Sequence, residues 1–246
     1  MEMFSFKQVL IVYGVVLLSS VLQGFGGFGF GMLAMSLLPF VLSVRTASVL
    51  IALLALFNTG ALAWQQRRSV AWRPVGMLLS GSLLGVPLGV WFLDTWPEGP
   101  LKRLIGVAVL LYCGYAAWRE HRGAIPAREW STLWCFPIGL TAGILGGAVN
   151  TGGPPVIFYI HSQPWKPEQM RATLVVYFFA VTIIKDALLF AQNMVPWEMI
   201  VFAGTLPLIG IGGRLGLLLG RRTPPLLFRR IVLVILCGMG LLLLKG

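Results

Sequence analysis

GFGGFGFG, residues 24–31, puts five glycines among eight residues in the middle of a long apolar run. A glycine inside a helix costs about 1 kcal/mol relative to alanine. Such a cluster marks a place where the backbone does something other than continue a helix. The run around it extends over roughly 7–44. As one helix it would be about 57 Å long at ~1.5 Å per residue, against a hydrocarbon core ~30 Å thick. It therefore reads as two pieces joined at the glycines. A second over-long region, roughly 131–163, carries a break of the same kind, GGAVNTGGPP at 146–155.

The rest of the chain sets the context for these breaks. Of 246 residues, 57% are hydrophobic and 11% charged, with mean hydropathy +0.85. A soluble domain of this length carries about 25% charged residues. Six further apolar runs, at roughly 46–64, 74–93, 101–118, 169–192, 197–219 and 226–244, are each near the ~20 residues that cross a bilayer. The composition gives an all-α polytopic membrane protein whose surroundings are the lipid bilayer. No cleavage site for a signal peptide follows the first ten residues, so the N-terminus reads as retained. The net charge of +11 sits in short gaps between apolar runs, where it sets orientation; nucleic acid is not the expected partner. Cys113, Cys135 and Cys237 stand alone in apolar sequence and read as packing residues. His121 and His161 lie far apart, and no metal site is expected.

The two halves echo each other at an offset of about 126 residues. The first break is followed by VRTASVLIALLALF and the second by MRATLVVYFFAV, with Arg45 and Arg171 in matching places. VAWRP then answers VPWEM, GSLLGVPLG answers GIGGRLG, and PLKRLIGVAVLL answers LLFRRIVLVILC. The expected organisation is one transmembrane domain over residues 1–246. Repeat 1 covers about 7–118, a cytoplasmic linker about 119–130, and repeat 2 about 131–245. Each repeat is a glycine-broken helical hairpin plus three transmembrane helices.

Charge chooses between two topologies. If each broken region is a hairpin that returns to its starting side, Arg67, Arg68, Arg73, Arg119, Arg122, Arg128, Lys166, Arg171, Arg221, Arg222, Arg229 and Arg230 share one side. Lys7, Arg45, Lys102, Arg103 and Lys245 share the other, a division of 12 against 5. If each crosses once, the division is 8 against 9. The positive-inside rule selects the hairpins. Both termini then lie outside the cytoplasm and the two repeats are inverted, an arrangement common among secondary transporters.

Irregular backbone is tolerated at membrane depth only where protein buries it or it lines a cavity. The two breaks are therefore expected to face one another. A helix that begins at a break presents unpaired N–H groups with partial positive charge, which suit an anion. The residues expected to bind it are Gln23, Gly24, Gly26, Gly27 and Gly29 at the first break, and Asn150, Thr151, Gly152 and Gly153 at the second. Pro154 and Pro155 fit the first turn of a returning helix. The glycines of 81–89 and 210–216 read instead as close helix packing.

The segment GFGGFGFGMLAMSLLPFVL followed by RTASVLIALL resembles the sulfite exporter TauE/SafE family of bacterial membrane permeases. LTAGILGGAVNTGGPPVIFYI followed by MRATLVVYFF is similar to that family's second repeat. The resemblance runs over nearly the whole chain. In the first break, phenylalanines alternate with the glycines and the run toward proline is delayed to Pro39, a departure from the family pattern. The resemblance implies a permease of the bacterial inner membrane for small oxyanions and organosulfur anions such as sulfite and sulfonates.

Lys185 and Asp186 lie inside the span 169–192. Intramembrane charges are costly and point to function. Lys185 is expected to complement an anion, with Asp186 and His161 as candidates for proton coupling. Interfacial snorkelling is the competing reading, and for Arg214 the preferred one. Asn58 and Thr59 stand where the first half matches Ile184 and Lys185. No nucleotide-binding motif or catalytic constellation is present, so neither an enzyme nor a bound cofactor is expected. The expected function is secondary transport, as an exporter, of a small anion such as a sulfur oxyanion or sulfonate. A non-sulfur anion such as a carboxylate is the alternative. A non-transporting partner subunit is disfavoured by the short loops. The oligomeric state is open, a homodimer being one option.

Overall fold

A computed structural model describes residues 4–26, 28–122, 130–222 and 225–245. The described residues form ten α-helices and no strand. They are α1 (Phe6–Gly26), α2 (Phe30–Leu37), α3 (Val44–Gln66), α4 (Trp72–Thr95), α5 (Glu98–Arg122), α6 (Cys135–Val149), α7 (Gly153–Ser162), α8 (Pro167–Ala191), α9 (Leu206–Arg222) and α10 (Pro225–Lys245). Among the described residues seven helices are long and apolar enough to cross a membrane. The all-helical, multi-pass reading of the sequence holds. Gly27 and the centre of the expected linker lie outside the described residues.

Both over-long regions are broken where the glycines fall. The turn between α1 and α2 passes through Gly29 at φ 105°, and that between α6 and α7 through Asn150 at φ 54°. Side chains clash in the left-handed region, which glycine visits freely and asparagine more easily than most. The two pieces of each hairpin are unequal. α1 has 21 residues and α2 eight; α6 has 15 and α7 ten. The long arm of the first hairpin spans the hydrocarbon core by itself, about 31 Å at ~1.5 Å per residue. The short arm is extended by a 3-10 turn at Leu38–Phe40. Each hairpin closes on itself through a glutamine: Gln8 Nε2 donates to the Val41 carbonyl at 3.1 Å, and Gln163 Nε2 donates to the Trp130 carbonyl at 3.1 Å. Start and end of each hairpin thus lie side by side.

The span expected over 197–219 is not one α-helix. Residues Trp197–Thr205 form a 3-10 helix before α9 begins. Pro207 explains the change, since its ring would clash with the carbonyl of residue 203 in a continuous α ladder and it has no N–H to offer.

Helix packing follows the glycines. α4 and α6 run parallel and nearly touch: a Cβ added at Gly81, Gly85 or Gly89 would lie 2.1–2.3 Å from the carbonyl oxygens of Phe136, Leu140 and Ile144. α1 and α9 are also parallel, with Gly216 against the Val21 carbonyl and Gly212 against Leu17 and Ser20. Only residues without side chains permit such approach in a bilayer, where packing and not hydrophobic collapse joins helices. The opposite face of α4 presents Leu83, Leu84, Leu88 and Trp91 outward, exposed to the lipid side. Trp64, Trp72 and Trp197 are exposed at helix ends, as an interfacial belt requires.

The remaining pairs are antiparallel. α3 meets α8 through Ser48 with Lys185 and Gly60 with Phe179. α5 meets α10 through Gly106 with Gly240, the Cys113 thiol with the Leu233 carbonyl and Glu120 with Arg230. One end of the bundle gathers Val41, Arg45, Asp94 and Glu98, tied by the Arg45–Asp94 ion pair at 2.9 Å and the bond from the Val44 N–H to Glu98. The other end brings Arg171 against the Gly24 carbonyl at 3.2 Å and the start of α4 against α8.

Candidate functional site

The two breaks meet. A Cβ on Gly31, one residue into α2, would sit 2.7 Å from the Asn150 carbonyl oxygen. Between them lies a cavity of about 90 Å³, lined by Gln23, Gly29, Asn150, Gly152, Gly153 and Lys185 together with Thr59 and Tyr177. Two helices, α2 and α7, start at its wall, because Gly29 precedes the first residue of α2 and Gly152 the first of α7. Pro154 and Pro155 lie in the first turn of α7, where a missing N–H costs no helical bond.

Lys185 comes from the C-terminal third of α8 and is 2% exposed. Its Nζ donates to Ser48 Oγ at 2.9 Å, Asn150 Oδ1 at 3.0 Å and the Gly146 carbonyl at 3.1 Å. An ammonium has three N–H groups, so all three are used. An ammonium can only donate, which fixes the oxygen of Asn150 toward it. The amide nitrogen then donates to the Ser48 carbonyl at 2.7 Å and to Ser48 Oγ at 3.1 Å. The Ser48 hydroxyl donates to the Ala148 carbonyl at 2.9 Å. One lysine thereby ties α3, the end of α6 and the left-handed turn to α8. Its hydrogen-bond partners are all neutral, and among the described residues no carboxylate lies within ion-pair distance of it. The buried carboxylate of Asp186 interacts with it electrostatically from farther away.

The other sequence candidates divide. Gly24 does not line the cavity; it packs on α9, where an added Cβ would lie 2.2 Å from the Gly213 carbonyl oxygen. Gly26 ends α1. Thr151 is buried next to Asn150 without lining the cavity, and its hydroxyl has no hydrogen-bond partner among the described residues. Gly152 does line the cavity, yet it also packs on the Ala142 carbonyl at 2.3 Å from an added Cβ, whereas Gly153 meets only ordinary contacts at 3.5 Å or beyond. Asp186 is buried with neither carboxylate oxygen partnered among the described residues. His161 sits away from Lys185, in a second cavity between α1, α5, α7 and α10. Thr59 lines the first cavity while its hydroxyl bonds back to the Ala55 carbonyl. Asn58 is buried close by in sequence but does not line it.

Ser48 and Tyr177 also belong to the site. Ser48 was legible only as a lone hydroxyl in RTASVLIALL. Such a serine usually bonds to its own helix, and nothing local announces that this one reaches across to residues 148 and 185. Tyr177 is fully buried, its hydroxyl 2.8 Å from Ser82 Oγ.

The family model described as sulfite exporter TauE/SafE matches residues 12–243, which takes in both breaks and every helix that forms the cavity. The chain belongs to the sulfite exporter TauE/SafE family. It is 29% identical over 223 residues to the probable sulfite/organosulfonate exporter TauE of Cupriavidus necator, covering 87% of this chain and 85% of that protein. It is 29% identical over 179 residues to the probable inner membrane transporter protein TsaS of Comamonas testosteroni, covering 71% of this chain and 72% of that one. No solved structure matches the chain. TauE/SafE proteins are membrane transporters, which bears out the reading of this chain as a transporter and not an enzyme.

Proposed function

We propose that this TauE/SafE transporter exports a small anion, a sulfur oxyanion or sulfonate, from the bacterial cytoplasm across the inner membrane, and that the anion binds between the two breaks. The observation that carries this reading is the Lys185 ammonium, hydrogen-bonded only to neutral oxygens, at the wall of a cavity formed by both glycine-rich turns. The N-termini of α2 and α7 add partial positive charge to the same wall. Sulfite and organosulfonate are the solutes in the name of the Cupriavidus relative, and both present a compact oxyanion of the size such a cavity admits. The volume is well above the ~10–15 Å³ that a single water needs, so an oxyanion group fits.

The halves are inverted repeats. In support, the matched helices α3 and α8 are antiparallel, as are α5 and α10. The pairs α1·α9 and α4·α6 exchange partners between halves, as a two-fold axis in the membrane plane requires. The bundle end that gathers Arg67, Arg68, Arg73, Lys166 and Arg171 faces the cytoplasm, and both termini lie outside it. An anion leaving a negative interior gains ~2.3 kcal/mol per charge per 100 mV, so export needs no further energy source. Asp186, buried beside Lys185 in sequence, is the candidate for a coupled proton, with His161 second.

The test is thermal stability of the purified protein with sulfite, thiosulfate, methanesulfonate, sulfate and acetate at constant ionic strength, since a ligand that binds the folded state stabilises it by mass action. A selective rise with sulfite or a sulfonate, abolished by Lys185→Met, is the expected result. A rise with acetate alone replaces the sulfur anion with a carboxylate. No rise for any anion at millimolar concentration removes the anion cradle and leaves the glycines as packing.

A further inference from the structure

Six polar side chains line the cavity between the breaks: Gln23, Thr59, Asn150, Tyr177, Thr182 and Lys185. Four of them spend their donors inside the protein. Lys185 places its three N–H groups on Ser48, Asn150 and Gly146. The Asn150 amide donates to Ser48, and the Thr59 hydroxyl to the Ala55 carbonyl. Ser82 Oγ lies 2.9 Å from the Leu78 carbonyl and 3.0 Å from that of Gly139, so its one proton goes to a carbonyl. The Tyr177 hydroxyl is therefore the donor in its 2.8 Å bond to Ser82.

Gln23 and Thr182 differ from these four. Neither the Gln23 amide nor the Thr182 hydroxyl makes a hydrogen bond among the described residues. Gln23 is nonetheless only 4% exposed. A hydroxyl on a helix ordinarily bonds back to the carbonyl four residues earlier; Ser20, Ser36, Thr59 and Thr173 do so at 2.7–2.8 Å, and Thr182 does not. The polar atoms of Gln23 and Thr182 reach accessible surface, unlike the sealed hydroxyls of Ser19 and Thr151. The cavity is the surface that both line.

A polar group that finds no partner in the protein takes one from whatever occupies its cavity, and leaving it unpaired is costly. An oxyanion is rich in acceptors and requires donors. The backbone at the second break supplies few, because Pro154 and Pro155 in the first turn of α7 carry no N–H. Thr182 stands one turn before Lys185 on the same face of α8, and Gln23 approaches from α1, on the side of the first break. We propose that Gln23 and Thr182 are the side chains that hydrogen-bond the oxyanion headgroup of the transported solute. This rests on the reading of the cavity as the anion site. Lys185 then contributes charge without giving up a bond to the protein.

The test is calorimetric titration of the detergent-solubilised protein with methanesulfonate. Thr182→Val and Gln23→Met keep the volume and remove the donors. Each should lower affinity about tenfold, the loss of one hydrogen bond to a charged partner. Thr182→Ser, which keeps the hydroxyl, should stay within about threefold of the unaltered protein. Neither Thr182→Val nor Gln23→Met removes a bond within the protein, so the melting temperature without anion should stay level or rise; a residue that merely held the fold together would lower it. Thr182→Ala and Gln23→Leu replace the first variants if those fail to fold. Unchanged affinity in either donor-free variant overturns the proposal, and so does a Thr182→Ser variant as weak as Thr182→Val. Lys185→Met separates this inference from the reading beneath it. If Lys185→Met abolishes binding while Gln23→Met and Thr182→Val bind normally, the anion site stands and this inference falls. If the unaltered protein binds no methanesulfonate, or Lys185→Met binds it equally well, the anion site falls and takes this inference with it.

Discussion

The two breaks solve one geometric problem in different ways. The first turns through Gly29, which offers backbone and nothing else. The second turns through Asn150, which adopts the same unusual conformation and supplies an amide that binds both Ser48 and Lys185. Around the first break the neighbours are apolar, Leu22, Phe28 and Met32. Around the second they are an ammonium, a hydroxyl and carbonyls. The lesson is a division of labour within a duplicated frame: one turn gives access and flexibility, and the other holds charge.

The most severe way to break that comparison is to remove the charge. Lys185→Met leaves the Asn150 and Ser48 oxygens and the Gly146 carbonyl short of a donor. Hydrogen bonds to a charged group contribute about 1.5–3 kcal/mol each, so anion-dependent efflux from proteoliposomes should fall by at least about a hundredfold. Retention of a tenth of the wild-type rate would mean the second break does not depend on this residue.

A smaller effect separates backbone from side chain. Asn150→Gly keeps the left-handed turn and deletes the amide, so stability should fall by about 1.5–3 kcal/mol, the charge-assisted bond to Lys185, and anion affinity should drop about tenfold. Asn150→Ala should lose a further ~1–2 kcal/mol of stability, the cost of alanine in the left-handed region. If the Gly and Ala variants are equally stable, the turn geometry is not what the position requires.

At the first break the prediction is purely conformational. Gly29→Ala should cost about 1–2 kcal/mol of stability, aggravated by the Leu22 side chain 3.0 Å from the new Cβ. Its headgroup affinity, read by sulfite titration, should change less than that of Asn150→Gly. The reverse order would contradict the division of labour.

The smallest effect sharpens the picture within the second break. Gly153→Ala places its methyl at ordinary contact distance from Ile157, Met32 and Phe178, and should be tolerated within about 0.5 kcal/mol. Gly152→Ala drives a methyl to 2.3 Å from the Ala142 carbonyl oxygen and should lower the melting temperature measurably. Equal behaviour of the two would show that α6 and α7 can separate at no cost.

Much of this architecture could be read before any coordinates. Composition dictated a membrane protein, and span length against bilayer thickness dictated two broken regions. The glycines of 81–89 were legible as packing residues, and the contacts of α4 with α6 bear that out; in 210–216 Gly212 and Gly216 pack on α1, whereas a Cβ on Gly210 or Gly213 would meet nothing within 4 Å. Gly24 was not legible as one of them. In GFGGFGFG all five glycines look alike, and only the approach of Gly213 from α9 distinguishes the one that packs from the one that turns. Ser48 was invisible for a similar reason. A hydroxyl in a helix has a local acceptor available, and its choice of Ala148, a hundred residues away, depends on which helix lies opposite.

Local sequence was enough for what the bilayer enforces everywhere: helices, their number within the described chain, and the need to hide every irregular stretch of backbone. Those follow from hydropathy and from the cost of an unpaired peptide group in lipid, both of which act on local segments. The tertiary structure alone decided which glycine faced a helix and which a cavity, which hydroxyl met the lysine, and that Gly31 would rest against Asn150. Those choices depend on distances between segments more than a hundred residues apart, and no local rule carries them.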